Sequence, residues 1–261
     1  MKKYGFLLIC FFYLGLGLGR AQFRNLLDFN PVKGYNPYGS LTLIGNVLYG
    51  MANNGGAYGG GVIFSINTNG SGYRILYNFN STTGKEPWGD LTISGGKFYG
   101  TTYTGGTNDS GCVFSIDTNG SGYRDLFNFT GPNGANPPGS LTLVRNRLYG
   151  LTTFGGIYHS GCIFSVDTDG SNYKDMLDFN GLNGGQPRRS LALVGSRLYG
   201  MTYLGGINSW GTIFSIDTNG TGFKDILNFD RVTNGAEPKG NLTYYGNLLY
   251  GMASDGGVYN L

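Results

Sequence analysis

The feature that most constrains this chain is a pattern that returns every fifty residues. Phenylalanine recurs at this interval, at Phe29, Phe79, Phe129, Phe179 and Phe229. Tyr-Gly pairs keep the same interval, beginning at Tyr49, Tyr99, Tyr149 and Tyr199, and the next pair, at Tyr250, is displaced by one residue. A period of this length is typical of solenoids and propellers, in which one small unit is repeated and stacked. We therefore expect four complete units and an incomplete fifth.

Each unit contains the signals of four short strands. A two-residue turn, such as Gly45-Asn46, separates the first two strands, and an Asn-Gly or Asp-Gly pair, such as Asn119-Gly120, separates the last two. No helical periodicity appears between these turns. The pattern predicts an all-β fold, a β-propeller of four-stranded antiparallel blades with about 50 residues per blade and the last blade incomplete. A β-solenoid is the structural alternative.

The two ends of the repeat region predict how a ring of units could close. Residues Asn25 to Phe29 repeat the sequence of a fourth strand, and an N-terminal strand can complete the last blade of a propeller. The last blade has its first two strands, whereas its third strand is missing because the sequence stops at the position equivalent to Trp210. We therefore expect either a fragment or a ring with one defective blade.

The first 21 residues have the layout of a secretory signal peptide. Lys2 and Lys3 precede an apolar stretch, and small residues lead to a predicted cleavage after Ala21. An uncleaved membrane anchor is the alternative. We assign residues 1–21 to the signal and 22–261 to a single repeat domain, with no transmembrane segment in the mature chain. Export predicts a secreted or cell-surface protein.

Net charge excludes one class of partner. The sequence has 18 basic and 15 acidic residues, and the first 21 residues hold three of the basic ones, Lys2, Lys3 and Arg20. The mature chain is therefore balanced at 15 of each sign, which gives no global support for binding nucleic acid.

A longer pattern carries a family resemblance. The sequence Leu-Tyr-Gly-x-Thr-x-x-Gly-Gly-x-x-x-x-Gly-x-x-Phe-Ser-Ile recurs with small departures, as at 98–116, 148–166 and 198–216. It resembles the GloVer tandem repeats of bacterial choice-of-anchor proteins over residues 26–261. The resemblance implies an exported, surface-associated, propeller-like protein and implies no reaction or ligand.

Comparison of the units with one another separates constant from variable positions. The turn between the third and fourth strands is nearly constant, whereas the loop between the second and third strands and the loop between units vary. In a four-stranded blade these variable loops share one side, and loops on a rigid scaffold commonly bind ligands. The candidate ligand-binding residues on this side are Tyr58, Trp88, Tyr158, His159, Arg188, Arg189 and Trp210. The alternative is that these aromatic rings pack between blades.

Catalytic and metal chemistry have weak support. His159 is the only histidine, so it cannot build a site of several histidines. Glu86 and Glu237 occupy nearly equivalent positions in two interblade loops, and paired carboxylates can hydrolyse glycosides. Cys112 and Cys162 occupy the same position in adjacent units, which favours buried thiols over a disulfide. We expect no cofactor and no metal.

The sequence therefore predicts an exported, non-enzymatic repeat protein that binds a glycan or a surface protein through its variable loops. Two alternatives stay open. One is a polysaccharide-active enzyme with axial carboxylates, and the other is a structural spacer of a larger surface protein.

Overall fold

The computed structural model describes residues 23–259, and the predicted signal peptide lies outside them. These residues fold into antiparallel β-sheets joined by turns and loops, which confirms the all-β prediction. No helix within residues 23–259 is long and apolar enough to cross a membrane.

Each repeat unit forms one sheet. Unit 1 contains β1 (Thr42–Ile44), β2 (Val47–Ala52), β3 (Val62–Asn67) and β4 (Arg74–Asn78). Unit 2 contains β5 (Thr92–Ser94), β6 (Lys97–Thr102), β7 (Cys112–Asp117) and β8 (Arg124–Asn128). Unit 3 contains β9 (Thr142–Val144), β10 (Arg147–Leu151), β11 (Cys162–Asp167) and β12 (Lys174–Asp178). Unit 4 contains β13 (Gly185–Pro187), β14 (Ala192–Val194), β15 (Arg197–Leu204), β16 (Thr212–Asp217) and β17 (Lys224–Asn228). Unit 5 contains β18 (Thr243–Tyr245) and β19 (Leu248–Tyr250).

The sheets differ in their number of strands. Units 1 to 3 have the four strands that the sequence predicts, in sequential order, and unit 5 has two within the described residues. Unit 4 has a fifth strand because β13, from the loop between units 3 and 4, pairs with β15 at Gly185–Leu204 and Pro187–Thr202. The corresponding loops elsewhere make only an isolated bridge, as between Lys85 and Thr104. The extra strand is thus a longer version of a contact that every unit makes.

The backbone conformation of the turn between the first and second strands depends on the two residues at its centre. Its first central residue has a positive φ in units 1, 3 and 4, at Gly45 (58°), Arg145 (58°) and Gly195 (61°), and the second does not. This pattern of φ signs is that of a type II′ turn. Arg145 is the one non-glycine residue among the three, so its backbone is strained by the Cβ atom.

A glycine in the second strand makes room for a phenylalanine in the third. In unit 3, Gly150 pairs directly with Phe164, and a Cβ atom built on Gly150 would lie 2.4 Å from the end of the Phe164 ring. The other units repeat this arrangement with Gly50–Phe64, Gly100–Phe114 and Gly200–Phe214. Sheet packing therefore requires the glycine of the recurring Tyr-Gly pair in units 1 to 4.

The core lies between successive units. Phe129, which follows β8 of unit 2, packs edge to face against Phe164 of unit 3 with ring centroids 5.0 Å apart. Phe79–Phe114 and Phe179–Phe214 repeat this contact at 5.2 Å. All six rings are fully buried. Each unit thus hides its apolar face against the next one, as expected for a repeat fold.

The segments that enter the first strand of each unit hydrogen-bond to one another. The Ser40 amide donates to Asp90, the Asp90 amide to Ser140, the Ser140 amide to Ser190, and the Ser190 amide to Asn241. Each donor and acceptor occupy the same repeat position in adjacent units. These segments form a belt along the inner edges of the five sheets.

Tyr38 of unit 1, Arg189 of unit 4 and Lys239 of unit 5 line one cavity beside this belt. A straight stack would place units 1 and 5 far apart. The units therefore curve around a common axis, and the fold is propeller-like.

The N-terminal segment mimics a fourth strand without joining a sheet. Phe29 packs edge to face on Phe64 of unit 1 at 5.4 Å, as Phe129 does on Phe164. The Arg24 guanidinium donates to the carbonyl of Asn69, forty-five residues away. Residues 25–29 nevertheless form no ladder with unit 5 within the described chain. The predicted completion of the last sheet by this segment is therefore not formed there, because the adjoining third strand is not among the described strands.

Candidate functional site

The two sides of the ring carry different loops, as predicted. Hairpin turns share one side, where the Thr68 amide donates to the carbonyl of Asn46. Loops between units and loops between second and third strands share the other, where the Glu86 amide donates to the carbonyl of Gly60. The variable positions therefore lie on a common side.

Near the axis on this side, one repeat position carries a different residue in every unit. It follows a proline and is occupied by Tyr38, Trp88, Pro138, Arg188 and Lys239. Proline fixes φ, so the segment leaves the loop in a defined direction and enters the belt. We call the group of Tyr38, Trp88, Arg189 and Lys239 the axial cup.

Three cavities open among the residues of the axial cup. The largest, about 530 Å³, is lined by Tyr38, Arg189 and Lys239 together with residues of unit 5. A second, of about 270 Å³, is lined by Tyr38, Trp88 and Arg189. The third, of about 60 Å³, lies among the belt residues and again includes Tyr38 and Arg189. The largest volume is of the size that small-molecule sites commonly have, on the order of 300–1,000 Å³, and the second lies just below that range.

Trp88 is held in a fixed orientation by two tyrosines. Its ring is stacked on Tyr103 with centroids 4.5 Å apart and planes within 10°, and Tyr38 lies 5.6 Å away at a tilt of 58°. The indole Nε1 is buried and has no hydrogen-bond acceptor within the described chain. Tyr38 is 57% exposed. The pair therefore offers an aromatic wall whose tryptophan is already ordered before any ligand arrives.

Arg188 and Arg189 differ in what they contact. The Arg188 guanidinium lies 4.0 Å above the ring of Tyr203, and its Nε is buried without an acceptor among residues 23–259. Arg189 is exposed, and its Nε donates to the carbonyl of Lys239 at 2.7 Å. Neither arginine forms an ion pair within the described residues.

Lys239 is compensated by two carboxylates at long range. Its Nζ lies 3.9 Å from Glu237 and 3.9 Å from Asp255, and 5.4 Å from the ring of Tyr203. The Tyr203 hydroxyl donates to Glu237 Oε2 at 2.6 Å, and this hydrogen bond raises the pKa of Tyr203. The cup is therefore positively charged on its Arg189 side and closer to neutral beside Lys239.

Tyr58, Tyr158 and His159 lie at the tips of the loops between second and third strands. Tyr58 is 68% exposed and Tyr158 57% exposed. The backbone of His159 has φ 56°, as the equivalent Gly59, Asp109 and Ser209 also have positive φ. The turn therefore requires a positive φ at this position in units 1 to 4. None of these three side chains lines a cavity of the axial cup.

Trp210 packs at the joint between units 4 and 5. Its ring joins the core cluster of Met201, Phe229 and Leu242, and the Arg231 guanidinium lies 4.5 Å above it. The structure therefore brings Trp88, Arg188 and Arg189 to the axis, and it places Trp210 and the three loop-tip residues elsewhere.

The remaining candidate groups have structural partners. The Glu86 backbone bonds to Gly60 and Tyr103, and its φ of 59° is shared by the equivalent residues of the other units. Asp117, at the end of β7, accepts hydrogen bonds from Lys97 of β6 and from Ser121 in the turn between β7 and β8.

Cys112 and Cys162 are buried, unbonded thiols, as predicted. Each lies 3.2 Å from the hydroxyl of a buried threonine, Thr102 or Thr152. Burial raises the pKa of Cys112 to about 12, so this thiol is protonated at neutral pH.

Sequence reasoning missed Tyr38, Lys239 and Tyr203. The signal was present for the first two, because they occupy the same repeat position after proline as Trp88 and Arg188. Tyr203 occupies the position of Tyr103, which stacks on Trp88. The two repeat positions concerned, that of Tyr38 and Lys239 and that of Tyr203, can therefore be read from an alignment of the units with one another.

Comparison with known proteins supports this architecture. The sequence matches the family described as the Gloeobacter/Verrucomicrobia repeat over residues 14–146 and 126–261, which confirms the resemblance to a tandem-repeat family. No curated protein matches it.

Among solved structures, the chain is similar to one in the crystal structure of a nidogen/laminin complex. The identity is 15% and the TM-score 0.54, and the match covers 84% of this chain and 70% of that one. A putative TolB from Agrobacterium tumefaciens matches at 13% identity and TM-score 0.48, covering 70% and 61%. The tricorn protease matches at 18% and 0.47, covering 75% and 18%. At such identities the first similarity shows a fold that is propeller-like, and nothing about activity.

Proposed function

We propose that this chain, which belongs to the Gloeobacter/Verrucomicrobia repeat family, is an exported, non-enzymatic β-propeller that binds a glycan in its axial cup. In this proposal four blades of about 50 residues are complete and the last is incomplete. Export rests on the sequence of residues 1–21, and a mature N-terminus at Gln22 is the observation that would test it.

The observation that carries the proposal is the ordered aromatic wall beside open cavities. Sugar rings present apolar C–H faces, which pack on aromatic rings, and hydroxyl groups, which need directional hydrogen bonds. Trp88 supplies the face, and Tyr38 and Arg189, which line the same cavity, supply polar groups. Because Tyr103 fixes the indole, little side-chain entropy is lost on binding.

Two observations favour binding over turnover. Glu237, the carboxylate beside the cup, already accepts a hydrogen bond from Tyr203 and faces Lys239. The Glu86 backbone is held by hydrogen bonds to Gly60 and Tyr103, and Glu86 lines none of the three axial cavities. A Glu237→Gln variant that abolished measurable polysaccharide cleavage would favour the enzyme alternative instead.

The test is a glycan array with the mature chain and two matched aromatic variants. Trp88→Ala is expected to weaken binding by about tenfold to a hundredfold, because burying the apolar surface of a large side chain contributes about 1.5–3 kcal/mol. Tyr158→Ala removes an exposed ring from a loop tip on the same side and is expected to leave binding unchanged.

Circular dichroism and urea unfolding of both variants show whether the fold is retained. Glycan binding that survives Trp88→Ala and is lost in Tyr158→Ala would move the site to the loop tips. Protein binding without glycan binding would replace the ligand class, and no binding of either kind would leave the spacer alternative.

A further inference from the structure

We infer that the axial cup selects acidic saccharides, and that Arg189 is the residue that recognises their carboxylate. The inference rests on the proposed glycan-binding function and adds the chemical class of the ligand. It is carried by the placement of one arginine where the other units have glycine.

The repeat position of Arg189 is occupied by glycine in the other four units, at Gly39, Gly89, Gly139 and Gly240. Packing explains three of these glycines. A Cβ atom on Gly39 would lie 2.4 Å from the carbonyl oxygen of Gly89, and a Cβ on Gly89 would lie 2.6 Å from the carbonyl carbon of Gly139. The inner segments of adjacent units are therefore in backbone contact.

The joint between units 4 and 5 leaves more room. A Cβ atom built on Gly39, Gly89 or Gly139 meets the next unit, and by the same geometry the side chain of Arg189 begins on the side of unit 5, where it is accommodated. The Arg189 Nε uses this room to donate to the carbonyl of Lys239 at 2.7 Å. That bond fixes the side chain while its two terminal nitrogens stay free of ion pairs within the described chain.

Arg189, like Tyr38, lines all three axial cavities. It lines the cavity of about 530 Å³ with Lys239, and the cavity of about 270 Å³ with Trp88. A guanidinium presents its donors in a plane that matches a carboxylate, and such a charge-assisted pair is stronger than a neutral hydrogen bond. A sugar ring on Trp88 would thus place an attached carboxylate in a cavity that Arg189 also lines.

Acidic groups near the cup are already engaged. Asp90 accepts the Ser40 amide in the belt, and Glu237 and Asp255 share Lys239 at 3.9 Å. The unpaired positive charge of the cup therefore remains with Arg189 and, behind it, with Arg188 over Tyr203. This arrangement distinguishes an acidic from a neutral saccharide of the same shape.

The experiment compares oligogalacturonate with its methyl ester, which has the same sugar backbone without the negative charge. Binding is measured by calorimetry to the mature chain at two salt concentrations. The wild-type chain is expected to bind the acid form about tenfold more tightly, a difference of about 1.4 kcal/mol, and to lose that preference as salt rises.

Two Arg→Gly variants provide the matched comparison. Arg189→Gly restores the residue of the other units and is expected to bind both forms equally, at the affinity of the ester for the wild type. Arg145→Gly removes the same charge from a hairpin turn on the opposite side, where all four other units have glycine, and is expected to keep the tenfold preference.

The outcomes separate the two proposals. Equal binding of acid and ester by the wild type would overturn the acidic selectivity and leave glycan binding intact. A preference that Arg189→Gly retains, or that Arg145→Gly also loses, would overturn the role of Arg189. No binding of either oligosaccharide or of any neutral glycan on the array would refute glycan binding itself. Dextran sulfate that binds more tightly than oligogalacturonate would overturn the carboxylate assignment.

Discussion

Three joints connect units 1 to 4 in succession, and a last joint connects units 4 and 5. All four are built from the same repeat, but the last one packs differently. At the earlier joints, glycines bring the inner segments into backbone contact, and a threonine hydroxyl reaches across, as from Thr142 to the carbonyl of Leu191. At the last joint Arg189 replaces the glycine and Ala192 replaces the threonine. The difference teaches that small residues fix the spacing of the ring, and that a departure from them opens space for a charged side chain.

The largest expected effect comes from the core phenylalanine at each kind of joint. Phe129→Ala removes a fully buried ring that packs on Phe164 at 5.0 Å, and is expected to lower the free energy of unfolding by about 3–5 kcal/mol. Phe229→Ala is the same change at the last joint, where the ring packs with Met201 and Leu242.

Flexible methionine can partly fill the space left by Phe229, so its loss is expected to cost at least about 1 kcal/mol less than that of Phe129. Urea unfolding followed by fluorescence measures both. Equal losses would mean that the last joint packs as tightly as the others.

A smaller effect is expected from adding one methyl group at the inner edge. A Cβ atom on Gly139 would lie 2.8 Å from the carbonyl carbon of Arg189, so Gly139→Ala forces backbone to move and is expected to cost about 1–3 kcal/mol. Gly240→Ala meets only the end of Met252 at 3.9 Å and is expected to change stability by less than about 0.5 kcal/mol. Thermal unfolding of the pair tests whether backbone contact at this position sets the spacing of the units, and a costly Gly240→Ala would contradict the open space at Gly240.

The smallest expected effect comes from the partly buried carboxyl group of Asp175 in unit 3. In unit 2, Asp125 accepts a hydrogen bond from Tyr123 at 2.8 Å, whereas Asp175 of unit 3 has a buried Oδ1 without a donor among the described residues. Burial, and then the negative charge of Asp178, raise the pKa of Asp175 from 3.8 to about 6. The folded chain therefore holds this proton more tightly than the unfolded chain.

A raised carboxyl pKa makes stability fall as pH rises from about 4 to 6. Asp175→Asn stays neutral at every pH, so it is expected to match the wild type at pH 4 and to exceed it by about 1 kcal/mol at pH 7.5, after allowance for the half-exposed site. Asp125→Asn, at the satisfied position, is the control and is expected to show no such gain. If the difference in stability between Asp175→Asn and the wild type does not grow with pH, the raised pKa of Asp175 is contradicted.

Much of the fold was predictable because its causes are local. The turn residues, the Tyr-Gly pairs and the recurring phenylalanines mark strands within a single unit, and the structure places strands at those positions. The fifth strand of unit 4 was not predictable, since a bridge that every unit makes was lengthened there by one residue pair. The N-terminal segment resembles a fourth strand in sequence, and Phe29 packs on Phe64 as a fourth-strand phenylalanine does, but the segment joins no sheet among the described residues.

The candidate site was predicted only in part. Trp88, Arg188 and Arg189 were singled out as variable residues, and they meet at the axis. Trp210 was singled out for the same reason and packs in a core. Variation between units identifies positions that folding leaves free, but it does not separate a free position that faces a cavity from one that fills a joint.

The sequence by itself determined the repeat, the strands within each unit and the side on which the loops vary, because those follow from residue contacts over a few tens of positions. Only the tertiary structure decided that Tyr38 and Arg189, about 150 residues apart, line the same cavities. That proximity results from how many units curve around the axis and how closely each one packs on the next. Small steric differences at every joint add up around the ring, and no single unit contains them.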